Sequence, residues 1–351
     1  MESDLSSDVF DVLVIGGGVA GLSGALTLSR ARRSVLVLDA GEPRNAPAVA
    51  AHGLLSRDGV APLELLRAGK VEVQLYGGQV LSDRAVRASY AHGVFDVETE
   101  NGKVYRARRL LVTTGLVDEL PQVPGVSERW GRDVLHCPYC HGWEVRDTPI
   151  GVLGTGPASV HQALLFRQWS SRVTLFLHTG PEPEEEQWER LAARGIEVVQ
   201  GDVSGLEVTD DKLCGVRLSS GLVIPVQSLV VAPRFTARGS LLEGLGISAV
   251  PHPMGVGTYV PADAAGATEV AGVWVAGNIA DLMAGLAQAQ SQGVTAAAAI
   301  NADLVNADAD EAVARLRAAP SGSLFSGRSE AAVTERVLGV RRHGIDSLLG
   351  E

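Results

Sequence analysis

Residues Phe10 to Gly41 read FDVLVIGGGVAGLSGALTLSRARRSVLVLDAG, and this stretch decides the fold. The apolar, β-branched run Val12–Ile15 predicts a buried strand, and a second such run, Val35–Leu38, follows a helix-like segment. Three glycines with the spacing G-x-G-x-x-G follow the first strand, and an acid ends the second: Gly16, Gly18, Gly21 and Asp39. Together they make the dinucleotide-binding fingerprint in its full strand–helix–strand context.

Each of these four residues has a physical role in such a motif. Gly16 permits the tight turn, and Gly18 lets the backbone approach a pyrophosphate that meets the free N–H groups of a helix N-terminus. Gly21 allows the helix to pack closely on the strand, and Asp39 can accept hydrogen bonds from ribose hydroxyls. The sequence therefore predicts a bound dinucleotide near the start of the chain.

Residues 149–180, PIGVLGTGPASVHQALLFRQWSSRVTLFLHTG, repeat the plan of strand, glycine turn, helix and strand. This internal repeat predicts an α/β protein with two Rossmann-like domains. The formal charge of −11 argues against nucleic acid or an anionic membrane surface as a partner. No run has the ~18 apolar residues of a membrane span, and the acidic start MESDLSSD is unlike a signal peptide, so we expect a cytoplasmic protein.

Two of the three cysteines, Cys137 and Cys140, lie in the stretch HCPYCHGWE at residues 136–144. Their spacing suits a metal clip, a structural disulfide or a redox pair, and the motif alone does not decide between them. A zinc site usually needs a second ligand pair, and His136 and His141 are too crowded to supply one, so we expect no metal. We expect the third cysteine, Cys214, to be a small buried hydrophobe.

Two more segments carry a resemblance to a known family. Residues 272–301, GVWVAGNIADLMAGLAQAQSQGVTAAAAIN, resemble the closing flavin motif of flavoproteins with two dinucleotide folds, and residues 110–125, LLVTTGLVDELPQVPG, resemble their exit from the flavin domain. Over residues 10–305 the chain is similar to the low-molecular-weight thioredoxin reductases. The resemblance implies a FAD-binding domain at 1–117 and 245–305, an inserted NAD(P)-binding-like domain carrying the cysteine pair at 118–244, and a short helical tail at 306–351.

The resemblance also implies which residues contact FAD. The expected flavin-site residues are Gly16, Gly18, Val19, Ala20, Gly21, Asp39, Ala40, Arg44, Asn45, Gly53, Val80, Thr114, Gly115, Gly277, Asn278, Ala287 and Gln288. At position 278 the family usually has Asp. Because Asn keeps an acceptor oxygen and a similar shape, we expect the contact to survive.

The second nucleotide motif departs from the family. Pro157 follows its second glycine, and Ser159 stands where the third glycine belongs. Where thioredoxin reductases present arginines to the 2′-phosphate of NADPH, this chain has residues 178–180, His-Thr-Gly, followed by the acids Glu182, Glu184, Glu185 and Glu186. Losing two charge-assisted hydrogen bonds costs about 3–6 kcal/mol, or about a hundredfold to ten-thousandfold in affinity. The resemblance therefore implies FAD as the cofactor, and the departures in the second motif predict no tight binding of NADPH.

A cysteine pair followed by His141, beside a degenerate nicotinamide site, resembles the FAD-dependent dithiol oxidases that close the disulfides of gliotoxin, holomycin and related natural products. The resemblance implies that Cys137 exchanges with a small-molecule dithiol, that Cys140 faces the flavin, and that O2 takes the electrons. His141 stands where thioredoxin reductases have an acid/base aspartate, and His136 is a second candidate for that role. The family is homodimeric, so we expect a dimer.

Two other functions remain open at this point. One is an NAD(P)H-dependent disulfide reductase with an unusual pocket, and the other is a non-catalytic, flavin-bound redox sensor. A protein dithiol or another low-molecular-weight thiol is a further possible substrate. The tail from residue 306 onward is expected to form helices with a break at Pro320–Gly322.

Overall fold

The computed structural model describes residues 8–318 and 327–338. Its strands are β1 Val9–Ile15, β2 Val35–Asp39, β3 Gln79–Ser82, β4 Ala85–Ala91, β5 Val94–Thr99, β6 Val104–Val112, β7 Leu116–Glu119, β8 Val134–Leu135, β9 Ile150–Leu153, β10 Val173–Phe176, β11 Glu197–Val199, β12 Val203–Thr209, β13 Lys212–Leu218, β14 Val223–Ile224, β15 Ser228–Val230, β16 Arg234–Ala237, β17 Val250–Pro251, β18 Gly257–Tyr259 and β19 Val273–Val275. Its α-helices are α1 Val19–Arg30, α2 Pro62–Leu75, α3 Val126–Arg129, α4 Pro138–His141, α5 Ser159–Phe166, α6 Glu185–Ala193, α7 Leu286–Ala318 and α8 Gly327–Leu338.

The first sheet has seven strands in the order β3-β2-β1-β6-β5-β4, with β19 also paired to β6. The pairs of β1 with β2 and β6 are parallel, in the registers Val12↔Val35 and Val12↔Arg109. Val12, Val35 and their apolar neighbours along β1 and β2 are almost fully buried, as expected for strands covered on both faces. The carboxyl ends of β1, β2, β6 and β19 therefore meet at one edge, where an open α/β sheet binds its ligand.

The second sheet has five parallel strands in the order β11-β10-β9-β15-β8. Its central strand β9 begins the second glycine motif, and α5 follows that motif as the sequence predicts. The molecule is thus an α/β protein with two Rossmann-like folds, the second inserted into the first, and this confirms the predicted fold class.

The two crossings between these folds lie side by side. Strand β7 carries the chain out of the first fold and β16 carries it back, and the two are antiparallel with Leu116 opposite Ala237. They belong to a four-stranded sheet in the order β17-β18-β16-β7. The predicted limit at residue 117 falls within β7, whereas the predicted limit at residue 244 falls seven residues after the end of β16, and both stay predictions.

Of the described residues, those up to Asn301 form one compact unit and those from Ala302 onward form a second. The second unit contains the end of α7 and the whole of α8, so its described part is helical as predicted. The expected break at Pro320–Gly322 lies outside the described residues. Among the residues that the structure describes, no helix has the length and apolar character needed to cross a membrane.

The prediction for Cys214 is wrong, because its side chain is exposed. Cys214 faces solvent in β13, and both of its chain neighbours, Leu213 and Gly215, are buried. The thiol donates to the carbonyl oxygen of Glu207 at 3.3 Å. The apolar character of the stretch did not reveal which face each residue occupies.

A buried arginine anchors the start of the inserted fold. Arg129, 5% exposed, donates through Nε and Nη2 to the two carboxylate oxygens of Asp133 at 2.8 and 2.5 Å. Its Nη1 donates to Asp211 at 2.6 Å, and these bonds raise the pKa of Arg129 above its usual range. Arg132 also pairs with Asp211 but is largely exposed. Arg129 and Asp133 therefore form a bidentate ion pair in which the guanidinium is buried and the carboxylate is mostly buried.

Candidate active site

A cavity of about 990 Å³ extends along the carboxyl edge of the first sheet. We call it the main cavity. It is lined by residues at the ends of β1, β2, β6 and β19, by the loop around Ala51, and by the segment that carries the cysteine pair. All of the predicted flavin-site residues except Gly21 and Val80 line it: Gly16, Gly18, Val19, Ala20, Asp39, Ala40, Arg44, Asn45, Gly53, Thr114, Gly115, Gly277, Asn278, Ala287 and Gln288.

The glycine loop at the start of α1 has the shape that a diphosphate needs. Gly16 has a φ of +109°, a backbone conformation that favours glycine. A Cβ added to Gly21 would lie 2.0 Å from the carbonyl oxygen of Gly16, so this glycine permits the close packing predicted for it. A Cβ added to Gly18 would meet nothing within 4 Å, so the backbone faces open space at the start of a twelve-residue helix. Free N–H groups beside open space fit a bound FAD diphosphate.

Asp39 ends β2 beside this loop, as the motif predicts. Its Oδ1 accepts hydrogen bonds from Gly17 N at 3.2 Å and Gly41 N at 3.1 Å, and its Oδ2 lies 2.6 Å from Lys70 Nζ. Lys70 could not be identified from the sequence, because it comes from α2 and no local pattern links it to β2. The carboxylate is therefore fixed in place before any ribose contacts it.

Val80 does not line the main cavity. It lies within β3, opposite Val37, and the residues that line the cavity begin just beyond the end of this strand with Asp83, Arg84 and Ala85. The carboxyl end of a parallel strand, and not its middle, reaches the ligand edge of such a sheet. The same rule applied to β3 would have selected Asp83 instead of Val80.

Arg44 crosses the cavity wall between the two folds. Its guanidinium donates to both carboxylate oxygens of Asp118 at 2.8 and 2.7 Å and to Asn278 Oδ1 at 3.3 Å, and it lies over the Phe235 ring, 5.2 Å from the centroid. The amide nitrogen of Asn278 donates to the carbonyl oxygens of Asp281 and Ala284, each at 3.0 Å. A carboxylate cannot donate these two bonds, which gives a physical reason for Asn at this position.

The cysteine pair forms a disulfide in the wall of the same cavity. Cys137 precedes the short helix α4, Cys140 lies within it, and their Cα atoms are 5.3 Å apart. Both cysteines are half-buried, and Tyr139 between them is 76% exposed. Among residues 8–318 and 327–338 no cluster of His, Cys, Asp and Glu has the arrangement of a metal site. The two cysteines are thus joined by a disulfide in the wall of the main cavity, where a small molecule can reach them.

The two histidines that flank the pair differ in their surroundings. His136 packs edge-on against Phe235 with ring centroids 5.3 Å apart, and burial followed by the positive charge of Arg44 lowers the pKa of His136 to about 4. Burial also lowers the pKa of His141, where Glu144 opposes the shift and His52 adds to it. His136 is therefore neutral near pH 7, and His141 remains sensitive to charges nearby.

A second pocket, about 240 Å³ in volume, lies at the other glycine motif. We call it the second-loop pocket. Its lining residues are Gly154, Gly156, Pro157, Ser159, Val160, Leu175, Leu177, Gly180, Pro181, Glu182, Glu184 and Gln187. Within this described lining the charged side chains are the two glutamates. These two carboxylates would therefore repel a phosphate group.

The amides of this second loop are satisfied within the chain. Thr155 N and Gly156 N lie 3.3 and 3.4 Å from Ser159 Oγ, which accepts from both. Gly180 N donates to the carbonyl oxygen of Gly154 at 2.9 Å, so the chain after β10 closes onto the loop. His178 accepts a hydrogen bond from Val203 N at 3.1 Å through Nδ1 and so faces the neighbouring sheet. A dinucleotide phosphate would have to displace these contacts.

Comparison with known proteins agrees with this geometry. Residues 10–297 match the family model described as pyridine nucleotide-disulphide oxidoreductase. The chain is 31% identical over 317 residues to the thioredoxin reductase sirT of Leptosphaeria maculans, covering 86% of this chain and 96% of the relative.

Two solved structures are similar to the chain at the level of the whole fold. The crystal structure of HlmI is 43% identical with a TM-score of 0.82, covering 88% of this chain and 98% of that one. The oxidoreductase from Agrobacterium tumefaciens is 35% identical with a TM-score of 0.80, covering 85% and 99%. With the two glycine motifs and the disulfide, these matches show a thioredoxin reductase-like enzyme with a flavin-binding fold. The chain belongs to the pyridine nucleotide-disulphide oxidoreductase family.

Proposed function

We propose that this enzyme oxidises a small-molecule dithiol to a disulfide through Cys137 and Cys140, with FAD as its cofactor and O2 as the final electron acceptor. One observation carries the proposal. The disulfide shares the main cavity with the glycine loop that suits FAD, whereas the amides of the second-loop pocket are already bonded to Ser159 and the pocket faces two glutamates. Electrons then enter through thiols and not through a pyridine nucleotide.

The residues that would hold FAD come from three parts of the chain. The N–H groups at the start of α1 would hold the diphosphate, and Asp39 would accept bonds from the adenosine ribose. Residues that follow β19, from Gly277 to Gln288, would contact the flavin end of the molecule. Bound FAD would supply the two-electron acceptor that restores the cysteine disulfide and passes the electrons to O2.

The cysteine pair would take two electrons from the dithiol in two successive thiol–disulfide exchange steps. One substrate thiolate attacks the sulfur of Cys137, the Cys137–Cys140 bond breaks, and Cys140 leaves as a thiolate. The second substrate thiolate then attacks the mixed disulfide, so that the substrate leaves as a disulfide and Cys137 as a thiolate, which takes up one of the two protons released by the dithiol. Two electrons have now moved to the cysteine pair. Overall, one dithiol and one O2 give one disulfide and one H2O2.

His141 would act as the base for the attacking thiol. A thiol with a pKa of ~8.5 is only about 3% ionised at pH 7, so a neighbouring imidazole raises the share of the reactive thiolate. His136 is the weaker candidate, because its pKa of about 4 makes it a poor proton acceptor near neutral pH. Its place against Phe235 suits a role in shaping the cavity wall.

A second candidate function is the opposite electron flow, an NADPH-dependent disulfide reductase. It is favoured by the similarity of the chain to the thioredoxin reductase sirT. This function needs NADPH to bind at the second-loop pocket. Because the pocket is small and acidic, and its loop is bonded to itself, we rank this function second.

The two functions differ in the electron donor, a dithiol or NADPH, and in the electron acceptor, O2 or a disulfide. The FAD-loaded protein is mixed with dithiothreitol and, separately, with small natural-product-like dithiols in air, and O2 uptake and H2O2 are recorded together. The proposal predicts O2 and H2O2 in a one-to-one ratio, lost in Cys137→Ser and in Cys140→Ser and kept in Cys214→Ser. No O2 uptake with any dithiol, together with rapid NADPH oxidation when a disulfide is added, would establish the reductase instead.

A further inference from the structure

A short segment of the first fold contacts the chain on both sides of the cysteine pair. It consists of residues 44–52, which follow β2, and we call it the clasp segment. Its members Arg44, Pro47 and His52 all line the main cavity, as does the cysteine pair. Each of these three residues contacts a different part of the chain beyond β6, so the clasp segment spans the boundary between the two folds.

Arg44 contacts both of the crossing strands. Its guanidinium donates to the two carboxylate oxygens of Asp118 in β7 at 2.8 and 2.7 Å, and it lies over the ring of Phe235 in β16. The Asp118 side chain is only 8% exposed, so water and salt screen this bidentate pair little. Arg44 therefore ties the first fold to the two strands that connect it to the inserted fold.

The other two contacts lie before and after the cysteine pair in the sequence. A Cβ added to Gly131, ahead of β8, would lie 2.8 Å from Pro47 Cβ, so the clasp segment packs on this residue as closely as a glycine allows. After α4, Glu144 Oε1 lies 3.4 Å from His52 Nε2. The clasp segment thus touches the inserted fold on each side of residues 137–140.

A row of contacts leads from the expected flavin end of the main cavity to Cys137. Arg44 Nη1 donates to Asn278 Oδ1 at 3.3 Å, and Asn278 lines the cavity among the residues expected to contact the flavin. The guanidinium carbon of Arg44 lies 5.2 Å from the centre of the Phe235 ring. Phe235 in turn packs edge-on against His136, the residue before Cys137. Movement of the Arg44 side chain would therefore change the position of the cysteine pair relative to Asn278.

We infer that Arg44 is a positioning residue for the cysteine-pair reaction: through Asp118 and Phe235 it holds the disulfide beside the residues that would contact the flavin. The inference rests on one part of the proposed function, the passage of electrons between the cysteine pair and FAD. In that step the two thiols of the open pair give up two electrons and two protons and re-form their S–S bond, and bound FAD takes up both electrons and both protons. Arg44 takes no part in this exchange of electrons and protons.

Arg44 should matter for one step of the reaction and not for the other. Opening of the disulfide by a dithiol needs only access from the cavity. Transfer from the open pair to FAD needs the sulfur at a fixed place relative to the flavin, and a displacement of about 1 Å can slow such a step by about a hundredfold. Loss of Arg44 should therefore slow the transfer and leave the opening of the disulfide unchanged. A residue that only stabilises the fold would not separate the two steps.

Three variants and one control isolate this role. Arg44→Ala removes all of the guanidinium contacts, whereas Arg44→Lys keeps the positive charge and loses the fork that binds both oxygens of Asp118. Asp118→Asn removes the ion pair and keeps the size of the side chain, so the test does not depend on the folding of Arg44→Ala. Arg57→Ala is the matched control, because Arg57 is an exposed arginine outside the lining of the main cavity.

The experiment follows the two steps separately in the FAD-saturated full chain, mixed with dithiothreitol under argon. Flavin absorbance reports the transfer of electrons to FAD. Rapid quenching with a thiol-alkylating reagent, followed by mass spectrometry, reports the opening of the disulfide. Because Cys214 is the free thiol among the three cysteines, a chain with a closed pair takes up one label and a chain with an open pair takes up three.

We expect the disulfide to open at the same rate in all of these proteins. In the unmodified chain and in Arg57→Ala, triply labelled chains should appear only as the flavin bleaches. In Arg44→Ala they should accumulate while the flavin is still oxidised, with bleaching slowed by up to about a hundredfold, and Arg44→Lys and Asp118→Asn should give intermediate rates. Equal slowing of both steps, or bleaching as fast as in Arg57→Ala, would overturn the inference.

Failure of the proposed function would be visible separately, as absence of O2 uptake by the unmodified enzyme with dithiols in air. The same transfer is then followed in the opposite direction: the flavin is reduced by light under argon in the presence of EDTA, and opening of the disulfide is counted from the labels. The inference predicts the same slowing in Arg44→Ala. Disulfide opening by the reduced flavin as fast as in the unmodified chain would overturn it.

Discussion

Replacing His136 with Gln tests how the wall between the cysteine pair and Phe235 is built. The imidazole packs edge-on against Phe235 beside Arg44, and burial followed by that positive charge lowers the pKa of His136 from 6.5 to about 4. A histidine whose pKa is lowered by folding binds protons better in the unfolded chain. Its contribution to stability is therefore complete above about pH 6.5 and is lost as the pH falls towards 4.

The size of this effect follows from the two pKa values. At pH 5 the unfolded imidazole is almost fully protonated while the folded one is mostly neutral, which costs about 2 kcal/mol relative to pH 8. Below pH 4 the loss reaches its full value of about 3 kcal/mol, because one pKa unit corresponds to about 1.36 kcal/mol. Other groups titrate over the same range, so the informative quantity is the difference between the unmodified chain and His136→Gln.

Urea unfolding at pH 5 and pH 8, at one fixed concentration of FAD, measures that difference through tryptophan fluorescence. Between pH 8 and pH 5 the unmodified chain should lose about 2 kcal/mol more stability than His136→Gln. His161→Gln, which removes an exposed histidine of α5, should behave like the unmodified chain. If His136→Gln and the unmodified chain lose stability in parallel, the imidazole is not held neutral by burial and our description of the wall is wrong.

Two matched pairs of variants test the rest of the structure. Gly21→Ala should lower the free energy of unfolding even without FAD, because its Cβ would meet backbone at 2.0 Å. Gly18→Ala should keep the stability of the apoprotein and lose affinity for FAD, because its Cβ points into open space. Urea unfolding measures the stability, and flavin fluorescence measures the FAD affinity. Loss of apoprotein stability in both would contradict the account of the loop. Arg129→Met should lower the free energy of unfolding by about 3–5 kcal/mol, since it removes the buried guanidinium that pairs with the mostly buried carboxylate of Asp133. Arg132→Met, at the exposed end of the same cluster, should lower it by less than about 1 kcal/mol, and equal losses would contradict the burial argument.

Features set by local backbone requirements could be predicted from the sequence. The glycine loop, the strand that follows it and the acid at the end of β2 obey rules that apply within a few residues, and the structure has them where the pattern indicates. The second fold could be predicted from the repeat at residues 149–180 for the same reason. The neighbourhood of Cys137 and Cys140 followed from a family resemblance and not from such rules.

Features set by long-range charge pairing could not be predicted. Lys70 reaches Asp39, and Asp118 reaches Arg44, from elements with no pattern in common with their partners. His52 likewise contacts Glu144 only because the two folds meet at the main cavity. The wrong prediction for Cys214 has a related cause, since composition alone does not show which face of a hairpin a residue occupies.

Reduction of the flavin without oxygen tests the direction of electron flow most directly. The FAD-loaded protein is titrated under argon with dithiothreitol and, in a second cuvette, with NADPH, while the visible absorbance of the flavin is recorded. We predict rapid bleaching by the dithiol, prevented by Cys137→Ser, and no rapid bleaching by an equal concentration of NADPH. Fast, stoichiometric bleaching by NADPH with little reaction of the dithiol would contradict the account.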